Sequence, residues 1–148
     1  MALADAARAA GREVFIIGIE GAAGEDIARY PHAWVRIGAM GELLRLLKTE
    51  ECEDIVLIGG IKRPDLSKLG LDMTGMKLLP RLVKWMKQGD DGLLRGLAEF
   101  FEKDHGFRVV GAHEIAANLL VPEALLTKSV PSTQAEAGID VAVRATLA

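Results

Sequence analysis

The chain has 148 residues, half of them hydrophobic and 26% charged, and a net charge of −3. That is enough for one domain with a real core, and the mildly acidic balance without a basic stripe argues against nucleic acid as a partner. Cys52 is the lone cysteine, so no internal disulfide forms and the cytosol is the expected compartment.

No apolar run nears the roughly 18 residues of a membrane span. The Ala-rich start lacks the apolar centre of a secretory signal, and Asp5 and Glu13 argue against a transit peptide. Peripheral membrane contact stays compatible with the sequence. Leu3 to Ala10 read as a helix stopped by Gly11. EVFIIGI, Glu13 to Ile19, has the continuous apolar character of a strand buried on both faces. AWVRIG, 33–38, reads as a second, shorter strand. Gly41 to Glu50 form a helix with Leu43, Leu44, Leu46 and Leu47 on one face. DIVLIGG, Asp54 to Gly60, is the clearest strand pattern of the chain.

A long connection from Ile61 to Gly75 leads to the helical pattern MKLLPRLVKWMKQ. Pro80 fits there only in the first turn, where its missing N–H does no harm. Asp90 to Asp104 read as the next helix, FRVVGA as a fourth strand, and His113 to Asn118 as a short helical turn. Val121 to Pro131 read as loop and Thr133 to Leu147 as a final helix. Trp34, Trp85, Phe100, Phe101 and Phe107 fall at periods that fit a core; Trp85 and Met86 could instead cover an acyl chain or a partner subunit. His32 and His105 look like turn residues.

Strands alternating with helices predict a parallel α/β sheet flanked by helices. The order opens on a helix with no strand ahead of it, whereas in a doubly wound fold a first strand feeds the first helix through a ligand-binding turn. The expectation is a single Rossmann-like domain over 1–148 that lacks its first strand; the plainer alternative is a fold that starts with a helix.

Three places could carry chemistry. IGGIKRPD, Ile58 to Asp65, follows the third strand, and ligands of open parallel sheets bind outside the carboxyl ends of strands. Gly59 and Gly60 would let a ligand approach the backbone, with Lys62 and Arg63 adding charge for an anion. The alternative is a Gly-Gly turn followed by a solvated basic pair. In KQGDDGLL, Gly89 can end one helix, Asp90 can cap the next, and Asp91 then suits its first turn. Adjacent helical residues point about 100° apart, so one cation held by both carboxylates is disfavoured. In GAHEI, His113 could donate a proton or bind phosphate with Glu114 beside it; equally, the pair could be an ordinary helix start. No Walker A loop, GxSxG, zinc spacing or strand-borne GxGxxG occurs.

The order of GGIKRPD, GMKLLPRL, KQGDDGLLRGLAEFFEKDHGFRVVGAHE and LLTKSVPS resembles the bacterial LpxI family, from about Leu3 to the end. Members of that family are UDP-2,3-diacylglucosamine pyrophosphatases of lipid A biosynthesis. The resemblance implies a two-domain cytoplasmic enzyme working at the inner membrane face with magnesium or another divalent metal. Water attacks the α-phosphorus of UDP-2,3-diacylglucosamine and gives UMP and lipid X. It further implies that this chain is the N-terminal half only, without the second domain and its catalytic Asp. No catalytic residue is therefore expected in this chain, its metal ligands stay unknown, and the fragment should be inactive. By position, Gly59, Gly60 and Arg63 match the family's strand-end motif, although many relatives have Asn in place of Gly60. Asp90, Asp91, His113 and Glu114 match its interior motif, one Asp capping and the other facing the interdomain cleft. With Lys62 these make the expected substrate-binding set. Exposed apolar edges predict self-association as a homodimer. The competing reading is a stand-alone, non-catalytic nucleotide-binding or dimerisation module.

Overall fold

Helix α1, Ala2–Ala9, ends where the sequence predicts, in a computed structural model that describes residues 2–60, 70–116 and 132–146. Gly11 takes the left-handed conformation (φ 78°). The Arg12 N–H reaches back to the Ala7 carbonyl at 3.0 Å and the Gly11 N–H to Arg8 at 2.9 Å, a paired closure that satisfies two terminal carbonyls.

The chain then forms β1, Ile16–Ile19, which pairs in parallel with β2, His32–Val35, from Ile16 opposite His32 to Ile19 opposite Val35. A single 3₁₀ turn at Glu25–Arg29 joins them. Three expectations need correcting here. Ile16, Ile17 and Ile19 are half-buried rather than sealed on both faces, because β1 has one strand partner among the described residues. Trp34 is 36% exposed while Val35 is buried to 1%; alternation along a strand sends neighbours to opposite faces, and Val35 took the inner one. His32 opens β2 rather than lying in a turn, and its Nδ1 sits 2.8 Å from the Tyr30 carbonyl.

Helix α2, Met40–Thr49, buries Leu44 and Leu47, with Leu43 and Leu46 half-buried beside them. Strand β3, Asp54–Ile55, pairs in parallel with β4, Arg108–Val109. Among the described residues β1–β2 and β3–β4 are two separate two-stranded sheets. The long strand expected from DIVLIGG is therefore two residues, and Leu57 and Ile58 are 42% and 69% exposed. An apolar run records a capacity to pair; the ladder extends only as far as a neighbour offers backbone groups.

Helix α3, Met73–Lys87, starts three residues earlier than its apolar period suggests, because Asp72 caps it: Oδ1 accepts the Gly75 N–H at 2.7 Å. Pro80 thus lies in the helix interior and not in the first turn. Helix α4, Gly89–Glu99, folds back on α3 and runs into a π-helical segment, Phe100–Asp104. The observed helix start makes Gln88, not Asp90, the capping position, and Asp90 and Asp91 both fall in the first turn. Helices α5, Ala112–Ile115, and α6, Thr133–Thr146, complete the described elements. The core gathers Leu44, Leu47, Ile55, Leu78, Trp85, Phe100, Phe101 and Phe107, so four of the five aromatics expected inside are there. The expected loop at 121–131 lies outside the described residues.

Candidate functional site at the carboxyl ends of two parallel strands

β3 and β4 run side by side with Ile55 opposite Val109, and the Val110 N–H bonds the Ile55 carbonyl at 2.9 Å. Whatever follows each strand therefore leaves from the same edge. Gly59 and Gly60 come four and five residues after Ile55; Gly111, His113 and Glu114 come two to five after Val109. Both glycines of the first turn are exposed, Gly59 has φ 94°, and a Cβ built on either would meet no heavy atom of the described residues within 4 Å. That leaves the backbone open to close approach by a ligand. Lys62 and Arg63 lie outside the described residues.

The second turn is more committed. Glu114 Oε1 accepts the Gly111 N–H at 2.7 Å and the Glu114 N–H returns to the Gly111 carbonyl at 3.0 Å. Glu114 thus already spends its carboxylate on closing α5. The His113 ring folds back over Gly111, where a Cβ would overlap it, and the residue is exposed. Asp90 and Asp91 are exposed too but belong to the tip of the α3–α4 hairpin. Asp91 lies 3.9 Å from Arg95 one turn on. The fifteen residues of α3 span ~22 Å, and that length separates the tip from Asp72 at the helix start.

Sequence reasoning missed Asp72. Its Oδ2 accepts the Gly41 N–H at 2.6 Å and the Glu42 N–H at 3.3 Å, while Oδ1 caps α3. One carboxylate holds the amino ends of two helices together. The available signal was an Asp directly before helix-forming residues; the long connection drawn through Gly75 hid it.

A cleft of about 570 Å³ opens at the other, amino, end of β3 and β4, between Lys48, Cys52, Asp54, His105, Phe107 and Arg108. Burial and ion pairing set the state of its titratable groups. Burial, then the nearby Glu50 charge, pushes the Cys52 thiol up, away from a reactive thiolate. Burial, then the Lys48 charge, pushes His105 down. Its ring stands edge-on to Phe100 at 4.6 Å. Arg108 grips Asp54 through Nε at 2.6 Å and Nη2 at 2.7 Å, and Arg12 pairs with the same carboxylate. Arg108 first and Arg12 second lower the Asp54 carboxyl from 3.8 to about 2. A carboxyl held below its unfolded value contributes stability above that value and loses it as pH falls towards the folded one. Asp54→Asn should therefore lower Tm by a few degrees at neutral pH, and the gap from the parent should close between about pH 4 and 2. An unchanged gap at the acid end of a thermal-unfolding series would rule out this ion pair as its source.

Comparison with known proteins gives the fold a family. Residues 1–119 match the model of the LpxI N-terminal domain. The chain is 38% identical over 141 residues to the UDP-2,3-diacylglucosamine pyrophosphatase LpxI of Caulobacter vibrioides. That match covers 95% of this chain and 50% of the relative, so the chain spans about half the length of the curated protein it matches. No helix among the described residues is long and apolar enough to cross a membrane. With four-fifths of its length under the family model, the chain belongs to the LpxI family.

Proposed function

We propose that this chain forms one wall of the active-site cleft of a UDP-2,3-diacylglucosamine pyrophosphatase. In that reaction water adds to a phosphorus of the diphosphate, the bridging P–O bond breaks, and UMP and lipid X leave. The observation that carries the reading is the 38% identity spread over 95% of the chain. The shared carboxyl edge of β3 and β4 supports it, because the open backbone at Gly59 and Gly60 suits a diphosphate. Lys62 and Arg63 would neutralise the two phosphates, and His113 would reach them from the neighbouring turn. Fixed charges and N–H groups of this kind are the protein's main contribution to phosphoryl transfer. Asp90 and Asp91 join this wall only if the hairpin tip meets the rest of the full-length fold. Glu114 acts as the brace that shapes the His113 turn.

Among the described residues no three His, Cys, Asp or Glu side chains are placed to hold a metal ion. The described part alone thus does not fit a resident divalent cation, and the proposal takes no step through one.

We also infer that the two parallel pairs are halves of one Rossmann-like sheet. In the doubly wound order 3-2-1-4-5, leaving out strand 1 gives two pairs, 3-2 and 4-5, which is the pairing of β2–β1 and β3–β4 here. Arg12, entering β1, is paired with Asp54 at the start of β3, so the amino ends of the two pairs are neighbours. The backbone groups of Ile17 and Ile19 point away from β2, since Ile16 and Glu20 donate to it. Helix α1 touches α5, which follows the carboxyl end of β4, and the chain leaving it reaches the amino end of β3 at Arg12. It therefore runs opposite to the strands, as the helix after a central strand does.

The test compares this 148-residue chain with a full-length relative, using UDP-2,3-diacylglucosamine and magnesium. The chain alone should release little or no UMP, while Arg63→Ala in the full-length enzyme should lower kcat/KM at least about tenfold, the loss of a charge-assisted contact. Turnover by the chain alone near the full-length rate would defeat the division of labour, and an indifferent Arg63→Ala would defeat the proposed phosphate wall.

A further inference from the structure

Helix α3 has no Asp or Glu in its fifteen residues, MTGMKLLPRLVKWMK. Its inner face sends Leu78 and Trp85 into the core. On the opposite face Met73, Met76, Lys77, Pro80, Lys84 and Lys87 recur at three- and four-residue steps, and all are exposed. Met73 is 73% and Met76 60% exposed, unusual for large apolar side chains with a core at hand. Arg81 is engaged by Asp104 and lies over the rings of Trp85 and Phe100. Lys77, Lys84 and Lys87 form no ion pair with any described residue. In a chain of net charge −3 this is a local reserve of unspent cations, bounded at its C-terminal end by Asp90 and Asp91.

We propose that this face of α3 rests on an anionic lipid bilayer, with the three lysines against lipid phosphates and Met73 and Met76 between the headgroups. Composition favours lipid over a protein partner. Lysine is depleted in protein interfaces, where arginine is preferred, and the one arginine nearby is already used. Lysine stems lie well along an apolar boundary while the ammonium stays in the polar layer, and unbranched methionine adapts to a disordered surface. A helix some 22 Å long, backed by the core, offers an extended strip. Each lysine near such a surface contributes about 1 kcal/mol, or about fivefold in partitioning.

The experiment sediments the chain with vesicles of pure phosphatidylcholine and with vesicles enriched in phosphatidylglycerol, without substrate, so that its outcome is separate from that of the hydrolase reading. The chain should pellet with the anionic vesicles and be released as salt rises. Lys77→Gln/Lys84→Gln/Lys87→Gln should reduce partitioning about a hundredfold, and Met73→Gln/Met76→Gln about tenfold. All five positions are exposed, and an unchanged circular dichroism spectrum checks that each variant is folded. Absence of binding to anionic vesicles, equal binding by the triple-lysine variant, or capture of an acidic soluble protein by a chain that ignores vesicles would each overturn the proposal.

Discussion

Asp72→Ala should lower the unfolding free energy by about 3 kcal/mol, the largest loss expected from any one polar side chain in the described fold. Ordinary helix caps serve one helix and cost about 1 kcal/mol when removed. Asp72 serves two, accepting from Gly75 at the start of α3 and from Gly41 and Glu42 at the start of α2. Burial raises its carboxyl pKa, but the N–H donors of Gly75, Gly41, Glu42 and Thr74 outweigh that and leave it below 3.8. This contribution is therefore complete above the ordinary carboxylate range and lost as pH falls through and below it. Asp72→Asn, with one acceptor oxygen, should fall between the parent and the Ala variant. Thermal unfolding followed by circular dichroism decides the matter: Ala and Asn variants both within 1 kcal/mol of the parent would mean that packing alone sets the two helix starts.

The second large effect lies where α3 meets α4. Gly96 is buried, and a Cβ on it would enter the Trp85 ring. Trp85 is 8% exposed and central to the core, so Trp85→Ala should cost about 3–5 kcal/mol. Gly96→Ala should cost about 2 kcal/mol, the overpacking penalty less the gain of alanine over glycine in a helix. In the Trp85→Ala background the ring is gone, the penalty disappears, and Gly96→Ala should become neutral or stabilising by up to about 1 kcal/mol. A double-mutant cycle in urea therefore should show coupling of about 2–3 kcal/mol. Additive losses would mean that the helices can slide apart and that the close approach is not what holds the hairpin.

Much of the candidate site's placement was legible in local patterns. The Gly-Gly pair after an apolar run, the His-Glu pair after another and the alternation of strands with helices all point to one edge of a parallel sheet. What those patterns could not supply was which strand has a neighbour. DIVLIGG has the character of a long buried strand, yet only Asp54 and Ile55 find a strand partner among the described residues, since pairing is a property of two segments far apart in the chain. Pro80 shows the same limit from the other side. Judged alone it belongs in a first turn, but a carboxylate that also ties down α2 starts the helix earlier and leaves Pro80 inside. Trp34 and Val35 are equally apolar, and only the face presented to the core decided which was buried.

The amino-acid sequence by itself determined the helix stop at Gly11, the leucine face of α2, the aromatic core and the family, because each rests on residues near one another or on a motif order that survives without coordinates. The tertiary structure alone decided strand lengths, the shared cap at Asp72, the Arg12–Asp54–Arg108 cluster and the basic outer face of α3. Each of those depends on which distant groups meet and which are left facing solvent, and no local window of sequence carries that.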